Sequence, residues 1–217
     1  ICKYIGLTSS RYDYEIKHFG EGGDKFLGGE NILKELAYKV FTDNSSNLRK
    51  SQIQYTRPEW YDEIVGEETL VSQTKQARQN STKVAKELRG IWENTTTERV
   101  DYISVNLFNS LGEVNTGFKL DVKEDELKNL IKEKIEKGIK NFFIKMEDAF
   151  KGEDVKEINV FLAGNSCKHP FVEEIFNRYI EEKKDKLKIS IYNTKMFDDL
   201  KETNKVNPTA KTGVAFG

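Results

Sequence analysis

Two glycine-containing segments, each followed by an amphipathic helical pattern, have the residue types that could bind a ligand. The first covers residues 20–29 and leads into a helical pattern over residues 32–41. The second covers residues 164–170 and follows an apolar, strand-like run at residues 158–163. A turn at a helix N-terminus presents unpaired backbone N–H groups and the positive end of the helix dipole to an anion. Both segments are therefore candidate sites for a phosphate or a nucleotide.

The second segment carries side chains that suit such a ligand. Gly164 allows a close approach of the backbone, Ser166 offers a hydroxyl, and Lys168 offers a cation on a long apolar stem. Pro170 favours the first position of the following helix. Many α/β proteins use a similar turn only to connect a strand to a helix, so this structural interpretation stays open beside the functional one.

The first segment does not match two known phosphate-binding patterns. Gly28 and Gly29 are followed by Glu30 and Asn31 where a P-loop requires Lys and then Ser or Thr. The glycines also lack the G-x-G-x-x-G spacing between a strand and a helix. What remains is a loop whose glycine pair can admit a ligand at the start of the helix.

The histidines and cysteines do not form a catalytic or metal-binding set. His18 and His169 are far apart, and their positions, on a strand and just before Pro170, favour structural roles. Cys2 and Cys167 are too few and too scattered for a disulfide framework or a zinc site. A thiol at the head of a helix can have a lowered pKa, but Cys167 has no second catalytic group. We therefore predict no catalytic and no metal-ligating residue.

The charges nearly cancel, because 35 Lys and Arg oppose 36 Asp and Glu for a net charge of −1. Nucleic-acid binders and polybasic membrane-surface proteins need a basic excess, so neither class is expected. No apolar run approaches the roughly 20 residues of a membrane helix, and we expect no membrane span. The low cysteine count fits a reducing compartment, so we expect a cytoplasmic protein. Because it begins with Ile1, we also expect a piece of a longer chain.

The apolar periodicity predicts an α/β chain. Alternating residues predict β-hairpins near residues 2–19 and 100–122, the second of which turns through residues 109–112. The polar region 42–66, which contains Pro58, predicts a loop. Spacings of three and four residues predict the helices. These are a helix over residues 32–41, one over 70–92, one from Asp121 or Lys123 to about residue 148, and one beginning at Pro170 between short strands at 158–163 and 187–192.

Three segments, taken in order, resemble the actin-like ATPase superfamily and, within it, the 70-kDa heat-shock chaperones of the DnaK type. Residues 21–32, EGGDKFLGGENI, resemble the family's A-G-D-T-H-L-G-G-E-D-F. Residues 158–176, INVFLAGNSCKHPFVEEIF, resemble its adenosine motif V-L-V-G-G-S-T-R-I-P-K-V-Q. Residues 206–217, VNPTAKTGVAFG, resemble its closing N-P-D-E-A-V-A-Y-G-A. Together the segments extend over the whole chain in the family's order.

This resemblance implies an RNase-H-like half domain of the actin-like ATPase fold with an inserted α+β subdomain. The half domain would contain residues 1–27 and 130–217, and the inserted helix and hairpin subdomain would contain residues 28–129. The chain would then be lobe II, the C-terminal half, of the ATPase domain, with the family's D-L-G-G-G-T phosphate loop upstream of Ile1. A gapped alternative places residues 6–11 on that loop and replaces its acid and all three glycines.

The resemblance also implies binding residues on the inserted subdomain. Gly29 and Glu30 would border the ribose of ATP or ADP, and Gly28 beside them is also a predicted binding residue. On the second helix the family's E-K-A-K-R-T-L-S can be laid on residues 83–90, where Lys86 is the one predicted contact.

On the adenosine motif, the resemblance implies that Gly164, Asn165 and Ser166 pass beside the nucleotide. Lys168 would stand where the family has an Arg that flanks adenine, and Asn165 replaces a Gly. Lys lacks the planar guanidinium that stacks on a ring, so this replacement weakens the expected adenine contact.

The function implied is that of a nucleotide-binding lobe of a heat-shock-70-like chaperone ATPase. ATP or ADP with Mg²⁺ would be bound between two lobes of the full-length protein, and a co-chaperone or other protein would be a partner. Hydrolysis needs groups from both lobes, so we expect this fragment to be inactive and to bind nucleotide weakly or not at all. The alternative is a degenerate lobe that acts as a non-enzymatic protein-interaction module, using charged helices and exposed aromatics such as Trp60 and Trp92. A sugar or small-metabolite kinase of the same superfamily is a third class, and residues 27–30 match it less closely.

Overall fold

The computed structural model describes residues 1–6, 14–162, 167, 169–184 and 187–192. This part of the chain contains six helices and three two-stranded sheets, which confirms the mixed α/β class. The finer assignment to an RNase-H-like fold stays a prediction. Two compact units are present, one formed by residues 26–134 and one by residues 1–25 with 135–217. We refer to them as the helix-hairpin unit and the parallel-strand unit.

The elements follow one another with short connections apart from one longer segment between α2 and α3. In chain order they are β1 (Cys2–Gly6), β2 (Tyr14–His18), α1 (Gly29–Asp43), α2 (Ser45–Lys50), α3 (Lys75–Glu87), α4 (Arg89–Trp92), β3 (Tyr102–Phe108), β4 (Val114–Asp121), α5 (Glu124–Ala149), β5 (Glu157–Phe161), α6 (Pro170–Lys183) and β6 (Lys188–Tyr192). Among these, no helix is both long enough and apolar enough to cross a bilayer.

The core of the helix-hairpin unit forms where α1, α3 and the β3–β4 hairpin pack together. The hairpin alternates as predicted, with Ile103, Val105 and Leu107 buried and the residues between them exposed. On α1 the apolar side chains recur at helical spacing, and Phe41 stacks on Tyr55 with ring centroids 4.6 Å apart. Burial of this apolar surface is the main term that holds the unit together.

A buried asparagine ends α1 and attaches it to the hairpin. The side-chain amide of Asn44 donates to the Val40 carbonyl at 2.8 Å and to the Asp121 carbonyl at 2.9 Å. Its oxygen accepts from the Asp121 N–H at 3.0 Å. The carboxamide therefore satisfies a helix-end carbonyl and, across 77 residues, both backbone groups of a strand residue.

The segment between α1 and α3 is more ordered than the predicted loop. Residues 45–50 form a helix, and isolated β-bridges pair Ile53 with Asn109 and Tyr55 with Val71. The loop prediction is therefore wrong for α2. The sequence of α2 has no helical periodicity of apolar residues, because Leu48 is its one buried residue, and its polar composition resembles that of a loop.

The prediction of one helix over residues 70–92 is wrong at its start and misses a break at Leu88, whereas the predicted end at Trp92 is confirmed. The Thr74 hydroxyl caps α3 by accepting from the Ala77 N–H at 3.3 Å, and the helix breaks at Leu88 before the short α4. Leu70 lies outside the helix because its carbonyl accepts the Tyr55 N–H at 2.9 Å. The apolar residues whose spacing predicted this helix are nevertheless buried, at Leu70, Ala77, Val84, Leu88 and Ile91.

The parallel-strand unit contains the predicted strand and the predicted helix. β5 and β6 pair in parallel, with Glu157 opposite Lys188, and such a pair requires a crossover connection, here α6. As predicted, α6 begins at Pro170, where the fixed φ of proline suits a helix start and its missing N–H costs no bond. The first hairpin, β1 with β2, is antiparallel as predicted.

The packing of α6 combines buried aliphatic side chains with a cluster of aromatic rings. The rings of Phe143 and Tyr179 stack with centroids 5.1 Å apart, and Phe142 meets Phe176 edge-on at 5.6 Å. On α5 the apolar residues that recur at helical spacing are buried, at Leu127, Ile131, Ile135, Ile139, Phe143 and Met146.

Candidate functional site

The start of α1 carries three of the predicted binding residues. Gly28 is the N-cap, with extended backbone angles and no side-chain cap, and Gly29 and Glu30 open the helix. The Gly28 carbonyl accepts the Asn31 and Ile32 N–H groups, as the geometry of a helix start requires. Glu30 lies in the first turn, where its negative charge is favourable at the positive end of the helix dipole. A small residue at the cap leaves room for a ligand at this end.

Lys86, the fourth predicted contact, lies on an exposed face in the last turn of α3. One turn later, Arg89 at the start of α4 reaches back to α1. Its Nη2 lies 2.8 Å from Glu30 Oε1, and its Nη1 lies 3.6 Å from Glu93. The structure thus joins the Gly28–Glu30 turn, through one ion pair, to the residue that follows α3, and Lys86 lies three residues before that residue.

The Glu30–Arg89 pair is exposed and positions the two side chains more than it stabilises the fold. The side chain of Glu30 is 75% exposed and that of Arg89 is 41% exposed. Pairs of this kind contribute little to stability because water screens them. The hydrogen bond that Arg89 donates to Glu30 raises the pKa of the guanidinium, so this cation stays charged throughout the physiological range.

Arg89 is the residue that the sequence interpretation missed. It falls within residues 83–90, on which the family pattern was laid, yet it was not selected. Its partner Glu30 lies 59 residues earlier, so no local spacing in the sequence could indicate their contact.

The remaining predicted binding residues, Gly164, Asn165, Ser166 and Lys168, lie outside the described residues. Two of their neighbours are described. His169 is buried, and its Nδ1 accepts the Phe171 N–H at 3.2 Å, which confirms a structural role as the N-cap of α6. Burial raises the pKa of the Cys167 thiol, so the suggestion that the helix start lowers this pKa is wrong.

The aromatic residues assigned to an interaction surface are not available for one. Trp92 is buried. Trp60 is half-buried, with its ring 4.8 Å from that of Phe26, and its Nε1–H donates to Glu35 Oε1 at 2.6 Å. The prediction that both tryptophans are exposed is therefore wrong, because each packs within the helix-hairpin unit.

Glu35 organises a second polar cluster, which is structural. Its side chain is fully buried and accepts bonds from Trp60, from the Tyr61 hydroxyl at 3.3 Å and from Lys134 Nζ at 2.8 Å. Burial, with the nearby Glu35 carboxylate, raises the pKa of Tyr61 to about 12. A charge buried in this way is stable only because its partners surround it.

Among the described residues, no group of three or more His, Cys, Asp or Glu side chains could hold a metal ion. No family model matches the chain, and neither the curated proteins nor the solved structures that were searched give a match. The chemistry of the region around Glu30 and Lys86 therefore has to be argued from its own geometry.

Proposed function

We propose that this chain is the nucleotide-binding second lobe of a heat-shock-70-like ATPase, with the RNase-H-like architecture that this family implies. In this proposal Gly28, Gly29, Glu30 and Lys86 bind the ribose and adenine of ATP or ADP. The observation that carries it is the 2.8 Å contact from Arg89 to Glu30, which places two segments named from separate motifs side by side.

The chemistry of these residues suits a nucleoside. A carboxylate such as that of Glu30 accepts hydrogen bonds from ribose hydroxyls, and the Lys86 ammonium donates to ring nitrogens or to phosphate oxygens. The glycines at the start of α1 keep side chains away from the approaching sugar. Arg89 holds Glu30 in one orientation, which lowers the entropy cost of binding.

ATP hydrolysis is assigned only to the full-length, two-lobed protein. Phosphoryl transfer needs Mg²⁺, a phosphate-binding loop and a water-positioning group, and the family divides these between two lobes. In this proposal Gly164, Asn165, Ser166 and Lys168 complete the contribution of this chain. The chain alone is then a weak nucleotide binder without turnover.

The test is a titration of the chain with a fluorescent ADP analogue, followed by anisotropy and competed with unlabelled ADP. We expect Lys86→Ala and Glu30→Gln each to weaken binding about five- to tenfold, the effect of losing one hydrogen bond of roughly 1 kcal/mol. The matched controls are Lys34→Ala and Glu98→Gln, which change exposed residues of the same unit. Wild-type chain that does not bind at millimolar analogue, or variants that bind equally well, would refute the proposal.

A non-enzymatic interaction module is the second candidate. The two tryptophans do not support this candidate, because they are not exposed, but another observation supports it. Ile64 and Val65 are both exposed at an ordered turn of the helix-hairpin unit, so their apolar side chains contribute little to its core.

A further inference from the structure

The turn at residues 62–68, called here the acidic turn, presents two aliphatic side chains to solvent. Ile64 is 51% exposed and Val65 is 96% exposed. The Glu67 N–H donates to the Ile64 carbonyl at 3.2 Å, and Gly66 has a φ of 94°, which closes a β-turn with Val65 at its tip. The chain therefore holds these apolar residues outward by a defined backbone geometry.

Hydrogen bonds from both sides hold the acidic turn in place. Arg49 Nη2 donates to the Gly66 carbonyl at 2.9 Å, and the Gly66 N–H donates to Glu68 Oε1 at 3.0 Å. The Tyr38 hydroxyl donates to Glu67 Oε2 at 2.7 Å. A preorganised turn loses little conformational entropy when it binds a partner, which favours its use as a docking element.

The rim of the acidic turn has an excess of negative charge, with four carboxylates against the two cations that contact it, Arg49 and Arg57. Seven residues contain four carboxylates, at Asp62, Glu63, Glu67 and Glu68, and no cation. The side chain of Glu63 is 92% exposed, and its ion pair with Arg57, at 3.2 Å, is a surface contact. An apolar tip with an acidic rim fits a partner that has an apolar groove edged by Lys and Arg.

The same unit contains a basic surface depression along α3, called here the α3 groove, where the apolar surface is that of polar and charged side-chain stems. Its volume is about 460 Å³, and it is lined by Lys75, Arg78, Gln79, Thr82 and Lys83, with no acidic residue. The Lys83 ammonium is held in place, because it donates to the Asn106 carbonyl at 2.7 Å and lies 4.2 Å from the centroid of the Phe108 ring. Three cations on one helix face form a positive surface that complements the acidic turn.

We propose that the acidic turn of one copy of this protein docks in the α3 groove of a second copy. Val65 and Ile64 enter the groove, while Asp62 and Glu63 face Lys75 and Arg78. The groove has the volume of a small-molecule pocket, roughly 300–1,000 Å³, which accommodates two aliphatic side chains. With a net charge of −1, two copies repel each other little at long range, so that local charge complementarity directs their encounter.

The contact joins two different surfaces, which limits the assemblies that it can form. Two copies that exchange their turns reciprocally about a two-fold axis make a closed dimer. A single, unreciprocated contact leaves one turn and one groove open and produces longer chains of copies. Either assembly is weak, because one turn in one groove buries less surface than a permanent interface.

The test is sedimentation velocity of the whole chain between about 1 and 500 µM, a range suited to small interfaces. We expect a concentration-dependent increase in mass for wild type, and at least a tenfold weaker self-association for Val65→Asp and for the double variant Lys75→Glu with Arg78→Glu. The sharpest arm mixes that double variant with Asp62→Lys plus Glu63→Lys. Each variant should be monomeric alone, because its turn and its groove have the same sign of charge. The mixture should associate, because the acidic turn of the first variant meets the basic groove of the second, and the basic turn of the second meets the acidic groove of the first.

Matched controls separate this contact from a general effect of charge. Glu98→Lys and Lys34→Glu alter exposed residues of the same unit outside both surfaces and should leave self-association unchanged. Circular dichroism melts check that each variant is folded. Wild type that stays monomeric at 500 µM, or turn variants that matter while groove variants do not, would overturn the proposal. Neither result depends on nucleotide, so failure here leaves the nucleotide proposal standing.

Discussion

Asn80 is the residue whose replacement tests most directly how the helix-hairpin unit is held together. Its side chain is fully buried on α3. The amide nitrogen donates to the carbonyls of Gln54 and Phe108, both at 2.8 Å, and the oxygen accepts the Phe108 N–H at 2.8 Å. One carboxamide therefore joins the helix to a strand end and to the segment that leads to Tyr55.

The expected loss for Asn80→Ala follows from these three bonds. At about 1 kcal/mol of net stability for each hydrogen bond, the variant should lose about 3 kcal/mol of unfolding free energy. The two carbonyls and one N–H that lose their partner add to this loss wherever water cannot reach them. The better helix propensity of Ala offsets only a few tenths of a kcal/mol.

Guanidinium denaturation followed by tryptophan fluorescence measures this loss in the relevant unit. Both tryptophans, Trp60 and Trp92, lie within residues 26–134, so the signal reports the helix-hairpin unit. Gln79→Ala is the matched control, since this amide is exposed and should change stability by less than about 0.5 kcal/mol. An Asn80→Ala variant as stable as the control would show that the three bonds do not hold the unit, and the reasoning would be wrong.

Three further predictions concern buried polar groups, each measured by the same denaturation assay. The pKa of Glu124 is lowered, because the bonds that it accepts from the Val100 N–H and Lys128 outweigh its burial. Its ionised form should therefore stabilise the fold above the ordinary Glu pKa of about 4.3, and this effect should be lost as pH falls through the lower folded pKa. The stability deficit of Glu124→Gln should be present at pH 7 and shrink in acid, and a deficit that does not change with pH would contradict this. Glu35→Ala should cost about 3 kcal/mol, at roughly 1 kcal/mol for each of the bonds from the partly buried Trp60, Tyr61 and Lys134, and a loss under 1 kcal/mol would count against a structural role. Tyr55→Phe should be neutral or stabilising by up to about 1 kcal/mol, since the buried Tyr55 hydroxyl has no hydrogen-bond partner among the described residues, and a large loss would indicate a partner that this reasoning omits.

Local signals in the sequence predicted most of the elements. Pro170 set the start of α6, because a proline is favoured at the first helical position and excluded from the interior. Strict alternation predicted the β3–β4 hairpin, which turns through residues 109–112. In both cases the physical cause lies within a few residues, so no tertiary information was needed.

The errors arose where a distant residue supplied the deciding contact. Helical spacing around Leu70 predicted a helix, but its carbonyl pairs with Tyr55, 15 residues earlier. Trp92 was assigned to an exposed surface, although it is buried in the core. The spacing of apolar residues indicates which face of an element is apolar, but it does not indicate which neighbouring element covers that face.

For the candidate site, the sequence by itself determined the residue types and, through a family resemblance, nominated Gly28, Glu30 and Lys86. It also determined the near-zero net charge, which depends on composition alone. Only the tertiary structure decided that Arg89 joins Glu30 to the end of α3, and that Arg49 and Tyr38 hold the acidic turn with Val65 outward. The physical reason is that these arrangements depend on helix packing between segments far apart in the chain, which local periodicity does not encode.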